Sequence, residues 1–231
     1  MSEDKKSLID LVPDSVDNAV KNITDKPTQN IGTTIADIWY LIFGGISQIA
    51  EKQKIKYSYD LQEFKNELEE KISKIPEDKK VEPDIQVTAQ ALEDVKYCIE
   101  KQELRDLFSN LISSSMNETL SKDILPIFPN VIKQLSVIDA KILKTFYEHT
   151  LRYGHSYRTV KLENINCPEI VLSLSSLESL GLIYSDVKSN LSYYFNLDLM
   201  NYDIKLVTNN KKFHVKFTNL GTAFCKVCIT T

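Results

Sequence analysis

Apolar positions recur with a helical period through most of the chain, and the stretch with fewest breaks is residues 83–117, which has no glycine and, after Pro83, no proline. Leu92, Val95 and Ile99 fall on one face. Leu104, Leu107, Phe108, Leu111 and Ile112 repeat at i, i+3, i+4, i+7, i+8 spacing and predict a second apolar face. The 3.6-residue period does not superimpose the two sets, so a kink, a break or a change of neighbours is expected across residues 100–103. Pro83 suits a first helical turn, and Asp84, Glu93 and Asp94 put negative charge toward the N-terminal end.

Residues 1–30 are polar, rich in Asp and Lys and punctuated by Pro13 and Pro27, which predicts an arm that is partly disordered. Residues 31–51 follow as the most apolar part, with apolar side chains nearly all round, as in a helix at the centre of a bundle. Only 13 uncharged residues separate Asp37 from Glu51, fewer than the roughly 20 that span a bilayer, so a buried or interfacial helix is expected. Trp39 and Phe43 read as core side chains. Gly44 and Gly45 each cost a helix interior about 1 kcal/mol relative to alanine, which predicts close helix approach or a bend. These four residues, within IWYLIFGGI (38–46), form the candidate interaction or membrane segment.

Ser58 or Asp60 is expected to cap the next helix, whose Leu61, Phe64, Leu68, Ile72 and Ile75 make one stripe opposite a solvated Glu/Lys face, with Pro76 ending it. Pro126 and Pro129 break the pattern after residue 117. A short helix then presents Phe128, Val131, Ile132 and Leu135. Ser136 and Asp139 have capping-box spacing and open a helix to about Leu151, with Ile138, Ile142, Leu143 and Phe146 inward.

Over the last hundred residues the pattern changes. Pro168 starts and Gly181 stops a helix, alternating segments YYFNLDL, IKLV and FHVKFT follow with residues 209–212 as a hairpin tip, and Thr218 or Asn219 caps a terminal helix. The predicted fold is mainly α: a polar arm over 1–30, a helical domain over 31–133 and a small α+β, winged-helix-like domain over 134–231, with the boundary near Ser136.

At 42% hydrophobic and 26% charged, the composition is ordinary for a globular protein. A net charge of −4 argues against nucleic acid as the main partner. The charge is uneven, with 17 Lys and Arg against 24 Asp and Glu up to residue 133 and 11 against 8 afterwards, so a local basic patch stays open. Residues 162–187 have no Lys or Arg but hold Glu163, Glu169, Glu178 and Asp186, which disfavours sequence-specific DNA readout by that helix. Lys205, Lys211, Lys212 and Lys216 remain as candidate phosphate contacts of weak, salt-sensitive character, and they carry the alternative reading of a DNA-associated transcriptional regulator.

Cys98, Cys167, Cys225 and Cys228 are scattered, and the acidic opening MSEDKKSLIDLV predicts no targeting segment, so a reducing cytoplasm is expected. Cys225 and Cys228 have the spacing of half a zinc site with no second pair nearby, and read as small buried hydrophobes. His149 and His155 flank an exposed-looking turn with Arg152 and Arg158. In QELRDLFSNLISSSMN, Glu103, Arg105 and Asp106 read as helix-surface pairs, and Asn110 with Ser113, Ser114 and Ser115 as the lining of a pocket or an interhelical contact. Solvation and packing are the expected account. Acid and base groups do not converge, so no catalytic, cofactor or metal residue is assigned and no enzyme is expected.

The segments IADIWYLIFGGISQIAEKQKIK, DLQEFKNELEEKISKIPEDKKVEPD, ALEDVKYCIEKQELRDLFSNLISSSMN and ILPIFPNVIKQLSVIDAKIL, in this order and spacing, resemble the abortive infection alpha family. The resemblance runs from about Thr33 onward, and LRDLFSNLISSSM and FPNVIKQLSVIDAKIL are its most specific parts. Leu125 stands where the family usually has histidine, and Val137 where it often has proline. The resemblance implies antiphage defence by abortive infection and no known reaction, and it makes Glu103, Arg105, Asn110 and Ser114 family-motif positions. Implied partners are a phage or host protein, with peripheral membrane contact through residues 38–46 on activation and homo-oligomerisation both left open.

Overall fold

The computed structural model describes residues 32–43, 51–153, 158–160, 167–185, 204–208 and 211–229. The expected arm over 1–30, Gly44, Gly45, His155 and the segment YYFNLDL lie outside them. Seven helices precede the first strand among the described residues: α1 (Gly32–Phe43), α2 (Glu51–Ser73), α3 (Ile85–Val95), α4 (Gln102–Ser115), α5 (Glu118–Ser121), α6 (Phe128–Gln134) and α7 (Val137–Tyr153). A small α+β end follows: β1 (Arg158–Val160), α8 (Cys167–Ser179), β2 (Ile183–Ser185), β3 (Ile204–Thr208), β4 (Lys211–Phe217) and α9 (Asn219–Cys228).

The expected interruption of the central stretch is present, over residues 96–101, where successive i→i−3 bonds such as Tyr97 N–H to Asp94 O and Lys101 N–H to Cys98 O replace the helical ladder. Turning the chain here lets Leu92, Val95 and Ile99 reach the same core as the second apolar face. Pro83 precedes α3 instead of opening its first turn, because Asp84 is the N-cap and accepts the Val87 N–H at 3.0 Å.

Two upstream expectations are corrected. Helix α2 begins at Glu51, so Ser58 and Asp60 sit inside it; Ser58 is buried and Asp60 faces Arg105 of α4, and tertiary packing takes the place of a cap. Of the apolar stretch 31–51, the described helix α1 is not buried all round: it buries one stripe, Ile35, Ala36, Trp39 and Phe43, while Leu41 is 82% exposed and Tyr40 56%. Trp39 stacks on Phe64 of α2 at 5.8 Å between centroids and meets Phe43 at 4.6 Å.

The local signals downstream are realised. Ser136 N–H donates to Asp139 Oδ2 at 2.8 Å and Asp139 N–H to Ser136 Oγ at 3.1 Å, the reciprocal capping box at the start of α7. Gly181, at φ 72°, closes α8: its N–H reaches Glu178 O, and Leu182 N–H reaches Leu177 O, two bonds that only a left-handed residue between them permits. The strands form one sheet in the order β1-β3-β4-β2, with β1 parallel to β3 and the other pairs antiparallel. Register pairs Thr208 with Lys211, so Lys211 and Lys212 belong to β4 and not to the hairpin tip.

Helix α4 is the hub. Leu104, Leu107, Phe108, Leu111 and Ile112 are buried on it, and α2, α3, α6, α7 and α9 all pack against it. The apolar cluster therefore continues past Ser136, from Ile35 of α1 to Cys228 of α9. Thr218 caps α9, accepting the Gly221 N–H at 2.8 Å and donating to Gly181 O at 2.6 Å, which fastens the helix start to the corner after α8. Gly221 is required there: a Cβ would lie 1.8 Å from Leu182 O.

Candidate functional site

The polar residues of α4 are the candidate site, and the fold turns most of them inward. Arg105 is only 6% exposed. Its Nε donates to Glu67 Oε1 at 3.1 Å and its Nη2 to the same oxygen at 2.8 Å, while Nη1 donates to Ile99 O at 3.2 Å and lies 3.9 Å from Asp60. Burial opposes the guanidinium charge, but the hydrogen bonds and charge of Glu67, with Asp60 and Glu63, raise its pKa above the usual arginine value. A helix-surface pair was expected; the observed pair is a buried tie between α2 and α4.

One turn along, Lys71 of α2 donates to Ser109 Oγ at 2.6 Å and to Asp106 Oδ1 at 3.3 Å. Burial pushes the Lys71 pKa down, against the pull of Asp106 and Glu67. Glu103 meets Lys141 of α7 at 3.1 Å. Burial acts to raise its pKa, but a hydrogen bond from its own backbone N–H, together with the hydrogen bond and charge of the Lys141 ammonium, outweighs it, so the carboxyl pKa is lowered.

Asn110 and Ser114 face α9. Asn110 Nδ2 donates to Cys228 O and Ser114 Oγ to Val227 O, both at 2.8 Å. The last carbonyls of any helix have no partner within it, and here the side chains of α4 supply donors for two of them. Ser113 and Ser115 donate back to Asn110 O and Ile112 O on their own helix, which is how hydroxyls are tolerated in a fully packed interior. The reading of Asn110 and Ser114 as an interhelical contact holds, and the reading of this run as a solvated face does not: Arg105, Ser109, Asn110, Ser113, Ser114 and Ser115 are all buried. Beside them lies a 60 Å³ cavity edged by Glu103, Asp106, Asn110, Lys141, Lys144 and Ile229.

Two buried carboxylates were not singled out as sites by the sequence pattern. Asp94, 1% exposed, accepts from Lys133 of α6 at 2.7 Å and from Gln90 at 2.8 Å, with Lys133 also over the Tyr97 ring at 5.6 Å. Asp139 accepts from Ser173 and Ser176 of α8 besides closing its capping box. The capping signal was local; the α8 serines are more than thirty residues away.

The other candidates fall elsewhere. Trp39 and Phe43 lie together against α2, remote in sequence from the polar run of α4. Lys205 lies in β3, and Lys211, Lys212 and Lys216 in β4; Lys216, half-buried, pairs across the sheet with Tyr184 and edges a 430 Å³ cleft with Glu178, Thr218 and Asn219. His149 is half-buried within α7, where an exposed turn was expected nearby. Cys225 and Cys228 are fully buried, and burial pushes both thiols well above their ordinary pKa. Among the described residues no three His, Cys, Asp or Glu side chains are grouped to hold a metal ion, and no helix is long and apolar enough to cross a membrane.

A family model described as abortive infection alpha matches residues 56–228, from within α2 to the last residue of α9. Neither a curated protein nor a solved structure matches the chain.

Proposed function

Because the chain belongs to the abortive infection alpha family, we propose that it acts in antiphage defence as a non-enzymatic sensor or effector that works by binding a phage or host protein. The family name itself suggests abortive infection defence, and the match over residues 56–228 is the observation that carries the reading. Support for a binding role, as opposed to chemistry, comes from how α4 spends its polar groups. Arg105, Asp106 and Glu103 are each tied to a counter-ion on a neighbouring helix, and Asn110 and Ser114 hold α9. Groups fixed this way position elements; a general acid or base needs reach to a substrate.

In this reading α1 is the part that responds. It precedes the matched residues, it is held by the Trp39, Phe43 and Phe64 rings and by Thr34 Oγ1 donating to Glu82 at 3.0 Å, and its Tyr40 and Leu41 already face outward. That outward face, with Leu41 at its centre, would be the part of α1 that enters a lipid interface. Leu41→Asp changes an exposed position and leaves the core alone. With Leu41→Asp, protection and membrane depolarisation during phage challenge should fall together if α1 acts on lipid. Protection unchanged by the charge would remove the membrane version and leave binding of a protein target.

The order helix, strand, helix, strand, hairpin, helix at the C-terminal end supports a winged-helix reading and, with it, the DNA-associated alternative. Salt-dependent DNA binding by the whole chain is the observation that would favour it. The whole chain is needed because α9 packs on α4.

A further inference from the structure

We propose that the bed of α2 and α3 on which α1 lies is a recognition groove for an amphipathic helix of a partner protein, and that α1 fills it in the resting chain as an autoinhibitory stand-in. The occupant shows what the groove accepts. Ile35, Trp39 and Phe43 recur at i, i+4, i+8 and are all 0% exposed, the one-face anchor spacing of a helix laid into an apolar groove. Phe64 of α2 stacks on Trp39 at 5.8 Å between centroids, and α3 packs against the same helix.

Position makes α1 a removable occupant. Leu41 is 82% exposed and Tyr40 56%, so among the described residues α1 is the outermost layer at this place. The hub helix α4 is packed by α2, α3, α6, α7 and α9, and the core closes around it through those helices. Phe64 and α3 lie within residues 56–228, which match the family, whereas α1 precedes the match. The groove is thus inside the matched fold and its occupant outside. The Thr34 hydroxyl donates to Glu82 at 3.0 Å on exposed surface, a tie that water can replace. A partner helix displaces α1 by offering the same chemistry, a large aromatic side chain at the centre of three apolar anchors on one face.

The proposal rests on the reading of α1 as the part that responds, and names the class of partner that releases it. The probe is a synthetic peptide of residues 32–43 with Trp39→Phe, so that Trp39, the chain's single tryptophan, reports alone. Added to the whole chain, it should bind and shift tryptophan emission to the red as Trp39 leaves its buried site. The same peptide with Leu41→Asp should bind equally well, because Leu41 is on the outer face, and with Phe43→Asp at least about tenfold more weakly. In the chain, Ile35→Ala weakens the resident helix and should tighten peptide binding about tenfold, since a larger fraction of grooves is then open. Phe64→Ala damages the groove itself and should weaken binding; loosened packing alone would move both variants in the same direction. No binding by the Ile35→Ala chain, equal loss from the Leu41→Asp and Phe43→Asp peptides, or tighter binding by the Phe64→Ala chain would each overturn the proposal. So would a wild-type dimer that grows with concentration in light scattering and is lost with Phe64→Ala, which would give the groove to α1 of a second copy. Failure here leaves phage protection by the wild-type chain standing, whereas peptide binding without phage protection would count against the defence reading instead.

Discussion

Replacing Arg105 with methionine tests whether the most heavily bonded group of the central helix is structural. The guanidinium places three N–H···O contacts on Glu67 between 2.8 and 3.3 Å, a fourth on Ile99 O, and stands 3.9 Å from Asp60. Methionine fills much of the same volume, so the loss is chiefly electrostatic: Glu67 and Asp60 are left facing each other's charge in a site where water reaches 21% and 14% of them. Breaking a buried pair by removing one partner costs about 3–5 kcal/mol. Residual access of water to Glu67 favours the lower end, about 3 kcal/mol. Urea denaturation should show a lower midpoint with an unchanged slope. Arg105→Met combined with Glu67→Leu should regain about 2 kcal/mol, since an apolar replacement of both partners is close to neutral. A coupling below about 0.5 kcal/mol in this cycle would refute the reading of the pair as the main tie between α2 and α4.

Gly221→Ala should lower stability by about 3 kcal/mol, near the top of the usual overpacking range, because the new methyl meets a backbone carbonyl that cannot swing away; differential scanning calorimetry should show a midpoint drop of roughly 6–12 °C for a chain of this size. Cys98, Cys225 and Cys228 should react with a thiol reagent at mildly alkaline pH only as fast as the protein opens, since burial raises Cys98 to about 11 and pushes the other two well above the ordinary thiol value; peptide mapping after timed labelling checks this. Tyr57 is raised to about 12 by burial, then by Glu93 and Tyr97. The folded state thus keeps this proton longer than the unfolded chain, so the stability it contributes is full below about pH 10 and is lost as pH rises through about 12. Phenolate absorbance should show a late step that Tyr57→Phe removes.

What the sequence made legible was local. The capping box of Ser136 and Asp139, the stop at Gly181 and the break between α3 and α4 all depend on residues within a turn or two of each other, and period and cap chemistry suffice to find them. The start of α2 was misplaced because Ser58 and Asp60 are good caps in isolation, and only α4, more than forty residues on, gives Asp60 another partner. The polar run of α4 misled for the same reason. A helix bearing Arg105, Ser109, Asn110 and Ser113 to Ser115 looks solvated until α2 brings Glu67 and Lys71 and α9 brings two open carbonyls. Pairings 38 and 118 residues apart leave no periodic trace. The pairing of charges within the hub likewise emerges only once the helices are packed.

Phage challenge of a bacterium expressing the wild-type chain, scored by plaque reduction together with culture survival at high multiplicity, tests the defence reading most directly. Fewer plaques with collapse of the infected culture is the result predicted for abortive infection. Plaque reduction with full survival of the infected cells, or unchanged plaquing across a broad phage panel, would contradict it.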